Sequence, residues 1–168
     1  ETLRFLEEVI FERDGTVADL YDSGFTMLNG KLARFYGVEG VTGEEFRPVE
    51  LDPSRCSGML TQGSFLAQFA KKSRTNPITR GVHIIRNVLC WSLPDPPADI
   101  PPLEEEVTPG SSVREQLEAH RQPGCATCHD MIDPIGLAFE SFDTTARFRT
   151  MDEAGAPVET SSELQTPA

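Results

Sequence analysis

The sequence predicts a mainly α-helical protein with one short β-hairpin close to its C-terminus. Three observations lead there. Apolar residues recur at helical spacing through several segments before Trp91. Six of the seventeen positions from 93 to 109 are proline, so the helical parts are joined by a segment that cannot itself be helix or central strand. Beyond it, the pairs Ser112 with Glu115 and Asp133 with Pro134 carry the signatures of new helix starts.

Taken in order, Leu3, Leu6, Val9 and Ile10 mark a first helix that stops near Asp14-Gly15. A short second helix is expected from Val17 to Tyr21. A third follows Thr26, with Leu28, Leu32, Phe35 and Tyr36 on one face and Gly37 as its stop. Phe46 to Leu51 reads as a short strand, and Gly58 to Ala70 as helix or loop-helix. Ile78, Val82, Ile85 and Leu89 line a longer helix that ends near Trp91. The prolines Pro94, Pro96, Pro97, Pro101, Pro102 and Pro109, with Glu104 to Glu106 among them, describe an extended polyproline strap. Ser112 and Glu115 form a capping box for a helix through Arg121, whose inward face holds Val113, Leu117 and His120. Asp133 as N-cap and Pro134 at the first helical position open the next helix. Its face of Ile135, Ala138, Phe139 and Phe142 makes an apolar wall. Ala146 to Thr150 and Pro157 to Thr160 pair as a hairpin around Gly155, and Ser161 to Ala168 is a polar, frayed tail.

The chain has 168 residues, enough for one domain or two small ones. With 15 basic and 27 acidic residues its formal charge is −12, which argues against nucleic acid and anionic membrane surfaces and leaves room for a basic partner. No run of about 18 apolar residues occurs, so no membrane span is expected. Glu1 opens inside a helical pattern without an initiator Met or a signal sequence. A mature product, or an excised piece of something longer, is the expectation.

The most informative residues are Cys125-Ala-Thr-Cys128-His129. Two cysteines separated by two residues and followed at once by histidine form the attachment pattern of c-type haem. Each thiol can make a thioether to a haem vinyl group, and the spacing suits one porphyrin edge. His129 is then delivered to the iron as proximal ligand. A redox disulfide would call for a thioredoxin-like βαβ frame, which the flanking pattern lacks. Structural zinc would call for four closed ligands, whereas Cys56 and Cys90 are single and distant. Haem is favoured over zinc, disulfide and chance, and with it an exported, periplasmic or cell-surface location.

Longer stretches carry a resemblance. Leu60-Thr61-Gln62-Gly63-Ser64-Phe65-Leu66 is followed by Arg74-Thr75-Asn76-Pro77 with Arg80-Gly81, the proline strap, and His120-Arg121. The haem motif continues into Met131-Ile132-Asp133-Pro134-Ile135-Gly136-Leu137-Ala138-Phe139-Glu140-Ser141-Phe142-Asp143. From about Met59 to Thr160 the chain resembles the haem-binding cytochrome c-like domains of unknown function in large exported planctomycete-type and myxobacterial-type proteins. Phe25 to Asn29 and Leu32 to Gly37 are similar to the end of the domain that normally precedes them. The resemblance implies covalent haem, export, a redox role within multidomain proteins, and further chain on both sides. It gives the expected architecture: a small helical cytochrome c-like haem domain over 58–160 with the strap at 93–109, preceded by a helical segment at 1–57 and followed by the tail at 161–168. Cys56 has no place in the pattern.

The sixth iron ligand stays open between several residues. His120 is favoured because it shares the inward face of Val113 and Leu117. Met151, Met59 and His83 are alternatives, as is an open five-coordinate iron, whereas Met131 lies on the same local segment as His129. The family-like residues offer no evident distal acid–base pair, so an electron carrier with a closed haem pocket is expected, passing electrons to a redox partner protein or to adjoining domains. An open-site, peroxidase-like enzyme and a haem-stabilised interaction module are the alternatives. In an oxidising compartment Cys56 and Cys90 are expected to pair, a closure that contributes about 3–4 kcal/mol in the chain-entropy model.

Overall fold

Phe5 sets the orientation of the first helix. The computed structural model describes residues 1–95, 110–118 and 125–164. In it helix α1 (Thr2–Glu7) continues through a π-helical turn, Glu8–Glu12. Phe5 and Val9 are buried and Leu6 is partly buried, while Leu3 and Ile10 of the expected face are exposed. Phe5 wins because its ring meets Phe25 at 5.2 Å between centroids, and fully burying such a side chain contributes about 1.5–3 kcal/mol.

The described residues form a mixed but helix-dominated fold with one two-stranded antiparallel sheet. Packing divides them into two compact units, Glu1–Ala70 with Thr144–Phe148, and Lys71–Asp143 with Arg149–Ala168.

In the first unit, Thr16 and Asp19 form a capping box that starts α2 (Val17–Asp22). The expected third helix begins later than its sequence pattern implied. Phe25–Leu28 is instead β1, buried throughout and paired antiparallel with β2 (Arg47–Glu50), with Thr26 opposite Val49. Asn29 resets the chain: its side chain accepts from Leu32 N, so α3 (Gly30–Tyr36) can begin only after it. Gly37 ends that helix at φ 68°, as its position predicted. The loop from Cys56 leads to α4 (Gly63–Gln68). Met59 packs against the core of Phe5, Val9, Phe25 and Met27.

The second unit is built on the crossing of two helices. Asn76 caps α5 (Pro77–Asn87), whose Ile78, Val82 and Ile85 face the core as predicted. The helix ends before Trp91, and Leu89 is exposed. Ser112 and Glu115 bond reciprocally at the start of α6 (Val113–Glu118). The largest departure is α7 (Ala126–Leu137), which begins at the cysteine motif and runs through Pro134. Asp133 is not an N-cap, and Pro134 is not at a first helical position. A proline inside a helix costs about 3 kcal/mol. Packing against α5 offsets that cost: Ile132 joins the core of Ile85 and Leu93, and Ile78, Val82, Met131 and Ile135 pack against it.

The crossing is close enough to require glycine on both helices. A methyl at Gly81 would stand 2.5 Å from the Ile132 carbonyl oxygen, and one at Gly136 would run into the Pro77 carbonyl. The expected wall of Ile135, Ala138, Phe139 and Phe142 is not one face, because α7 ends at Leu137. Ile135 turns to the α5 core, and Phe139 lies under the Arg80 guanidinium. The C-terminal hairpin reduces to a turn at Gly155 closed by a single bridge, Met151 to Pro157, and a Val158 N to Thr150 O bond. Most of the proline strap, 96–109, lies outside the described residues.

Candidate functional site

Helix α7 carries the motif on its first turn. Cys125 is the N-cap, and its carbonyl accepts from His129 N at 3.1 Å, so the helix is hydrogen-bonded from the motif onward. Positions i, i+3 and i+4 of a helix share a face, which brings Cys125, Cys128 and His129 together on one side of one turn. Both thiols are half-buried, and Cys128 touches the cluster of Ile85, Leu93 and Ile132. The α5 crossing therefore anchors one end of the motif.

Asp133, one further turn along, completes the set. Its carboxylate takes His129 Nδ1 at 2.9 Å through Oδ1 and at 3.1 Å through Oδ2. An ionised carboxylate is an acceptor only, so this contact places the ring proton on Nδ1 and leaves the Nε2 lone pair as the ring's available donor atom. Asp133 is 5% exposed. Reading the helix as starting at Asp133 hid this pairing, since a carboxylate used as a cap is not available one turn back.

His129 and Asp133 border a cleft of about 190 Å³ between α6, α7 and the C-terminal segment. Leu117, Pro134 and Leu137 supply its apolar lining, with Arg114, Glu118, Asp130 and Glu163 as charged neighbours. Arg114 fixes the segment that closes it, donating to the Glu159 and Ser161 carbonyls and to Ser162 Oγ. That part of the expected frayed tail is tied down. The cleft is smaller than the ~300–1,000 Å³ typical of pockets that enclose a drug-sized ligand, so enclosure alone would not seat a porphyrin.

A second cluster was not anticipated. Arg80 donates from Nη2 to Glu140 Oε1 at 2.6 Å and to the Gly136 carbonyl at 2.7 Å. Thr75 Oγ1 and Arg149 Nη2 donate to Glu140 Oε2, and Arg149 Nε donates to the Glu140 carbonyl. Burial pulls the Arg80 pKa down from its ordinary value, while Glu140 beside it pushes the other way. The network locks α5, the end of α7 and Arg149 together. Arg74-Thr75-Asn76-Pro77, Arg80-Gly81 and Glu140 all stood in the stretches that carried the resemblance, but nothing in their spacing announced a shared ion cluster.

The remaining candidates scatter. His120 lies outside the described residues. Met59 belongs to the core of the first unit, Met151 is half exposed at the Gly155 turn, and His83 bonds Asn87 along α5. Cys56 and Cys90 are not bridged: Cys56 is buried with its thiol donating to the Phe25 carbonyl at 3.2 Å, and Cys90 is exposed. Among the described residues no three His, Cys, Asp or Glu side chains converge as a metal-binding group.

Residues 56–152, more than half of the chain, match the family model described as PSCyt3, a protein of unknown function (DUF1588). The chain belongs to the DUF1588 family. Residues 1–38 match a second model, PSD4, also a protein of unknown function (DUF1592). The DUF1588 match takes in Cys125, Cys128, His129, Asp133 and the Glu140 network, and the stretch it covers is close to that of the resemblance from Met59 to Thr160. No curated protein and no solved structure matches the chain. Among the described residues no helix is long and apolar enough to cross a membrane.

Proposed function

We propose that this chain contains a c-type cytochrome domain: one covalent haem c held by Cys125 and Cys128, His129 as proximal iron ligand, and electron transfer as its role in an exported protein. The observation that carries the proposal is the placement of two thiols and an imidazole on the first turn of α7, with the imidazole's other nitrogen held by a buried carboxylate. This donor set fits the group. Thioethers would hold a porphyrin that the adjoining cleft is too small to enclose, and Nδ1 engaged by Asp133 leaves Nε2 for iron. Once attached, haem c supplies a one-electron ferric/ferrous couple. Cys128 anchors its edge to the α5 core, and α7, braced at Gly81 and Gly136, keeps His129 in place. His120 is the proposed distal ligand. Met59 is occupied in the core of the first unit, which supports that preference.

The test is maturation of the chain in a host that attaches haem c. The wild type should retain its colour through acid–acetone extraction, and the C125A/C128A variant should lose it. No covalent haem on the wild type, or retention in the double variant, overturns the proposal. A low-spin ferric spectrum that turns high-spin in His120→Ala identifies the distal ligand. A high-spin wild type that changes on adding cyanide moves the chain to an open-site enzyme instead.

A further inference from the structure

We propose that Asp133 is a positioning residue for His129 that also tunes the centre: its carboxylate orients the ligating imidazole and enriches it in electron density, holding the reduction potential low. This inference rests on the haem attachment proposed above and goes beyond it, since the thiols and the imidazole alone say nothing about potential.

The geometry is specific. Both carboxylate oxygens lie within hydrogen-bond distance of Nδ1, at 2.9 and 3.1 Å. The side chains are 17% exposed for His129 and 7% for Asp133, so water screens the interaction poorly. A buried carboxylate is costly without a partner, and the imidazole N–H supplies one. A metal-ligating histidine whose second nitrogen donates to a carboxylate is a stronger and better-oriented base. A more electron-rich imidazole stabilises ferric over ferrous iron, which lowers the potential.

The backbone makes the contact rigid. Asp133 sits between Ile132 and Pro134, and the Ile132 carbonyl is where a methyl at Gly81 would collide at 2.5 Å. Gly136, three residues on, lies against Pro77 and accepts from Arg80. Asp133 therefore cannot move away from His129 without opening the α5–α7 crossing, and a positioned group is worth most when its support is fixed.

Haem-loaded wild type, Asp133→Asn and Asp133→Glu would be compared by spectroelectrochemistry at one pH, and the chain without haem by ¹⁵N NMR of His129. D133N should keep covalent haem yet shift the potential upward, D133E should recover most of the wild-type value, and His129 in the wild type should carry its proton on Nδ1. Equal potentials in haem-loaded wild type and D133N overturn this inference alone. An Nε2–H tautomer in the wild type overturns it even if D133N fails to fold. Absence of covalent haem from the wild type overturns both this inference and the haem proposal.

Discussion

Glu140 is the hub of a buried ion network in the second unit. It is 4% exposed and answers two guanidinium groups and a hydroxyl at once. Removing one partner of a buried ion network strands the other charge and costs about 3–5 kcal/mol. Glu140→Ala should lower stability by that amount in urea unfolding, while Glu153→Ala, which removes a more exposed partner of Arg149, should cost little. The cysteines divide as sharply. Burial raises the Cys56 pKa, and its thiol already donates to a carbonyl, so it is shielded and short of thiolate. Without reductant, and before any haem is attached, Cys90 should be alkylated in the native chain and Cys56 only after unfolding. Equal labelling would show that the loop around Cys56 opens.

The α5–α7 crossing is the element-scale feature on which the site depends. Gly136→Ala would drive a methyl into the Pro77 carbonyl, and overpacking of this kind costs about 1–3 kcal/mol. Thermal unfolding should show that loss, with Gly110→Ala as the contrast in space alone, since nothing lies near its added methyl although its φ of 82° still strains the backbone. The face of α5, the capping box of Ser112 with Glu115 and the stop at Gly37 were legible in the sequence because each is a local signal. Helix α7 was not. Its one conspicuous local signal, Asp133-Pro134, reads as a helix start, and only the tertiary gain at Ile132 and Gly136 carries the helix through that proline. β1 failed for the opposite reason: Phe25 to Leu28 is apolar enough to extend a helix pattern, and its partner β2 comes nineteen residues after it. Cys125, Cys128 and His129 were legible as a motif, but the contact of Asp133 with His129 required the helix register that the proline obscured.

At the scale of the whole molecule the governing quantity is charge. A formal −12 spread over 168 residues produces a negative field that dissolved salt screens over a Debye length, about 10 Å at 0.1 M. The cleft beside His129 carries the same sign, with Glu118, Asp130, Asp133 and Glu163 against Arg114. Long-range attraction of this kind acts on the rate of encounter more than on the affinity of the complex. If the domain exchanges electrons with soluble partners, a cationic oxidant should react faster than an anionic one of similar driving force. Added salt should slow the first and speed the second. Stopped-flow oxidation of the reduced haem-loaded chain by a cationic and an anionic metal complex, from about 0.01 to 0.5 M ionic strength, measures both slopes against the tenfold and larger effects that steering produces. Opposite slopes would place the exchange at the acidic face and make a basic partner surface the expected docking target. Two flat profiles would mean that electrons leave through a site the net charge does not reach, as within a larger assembly where neighbouring domains hold donor and acceptor together.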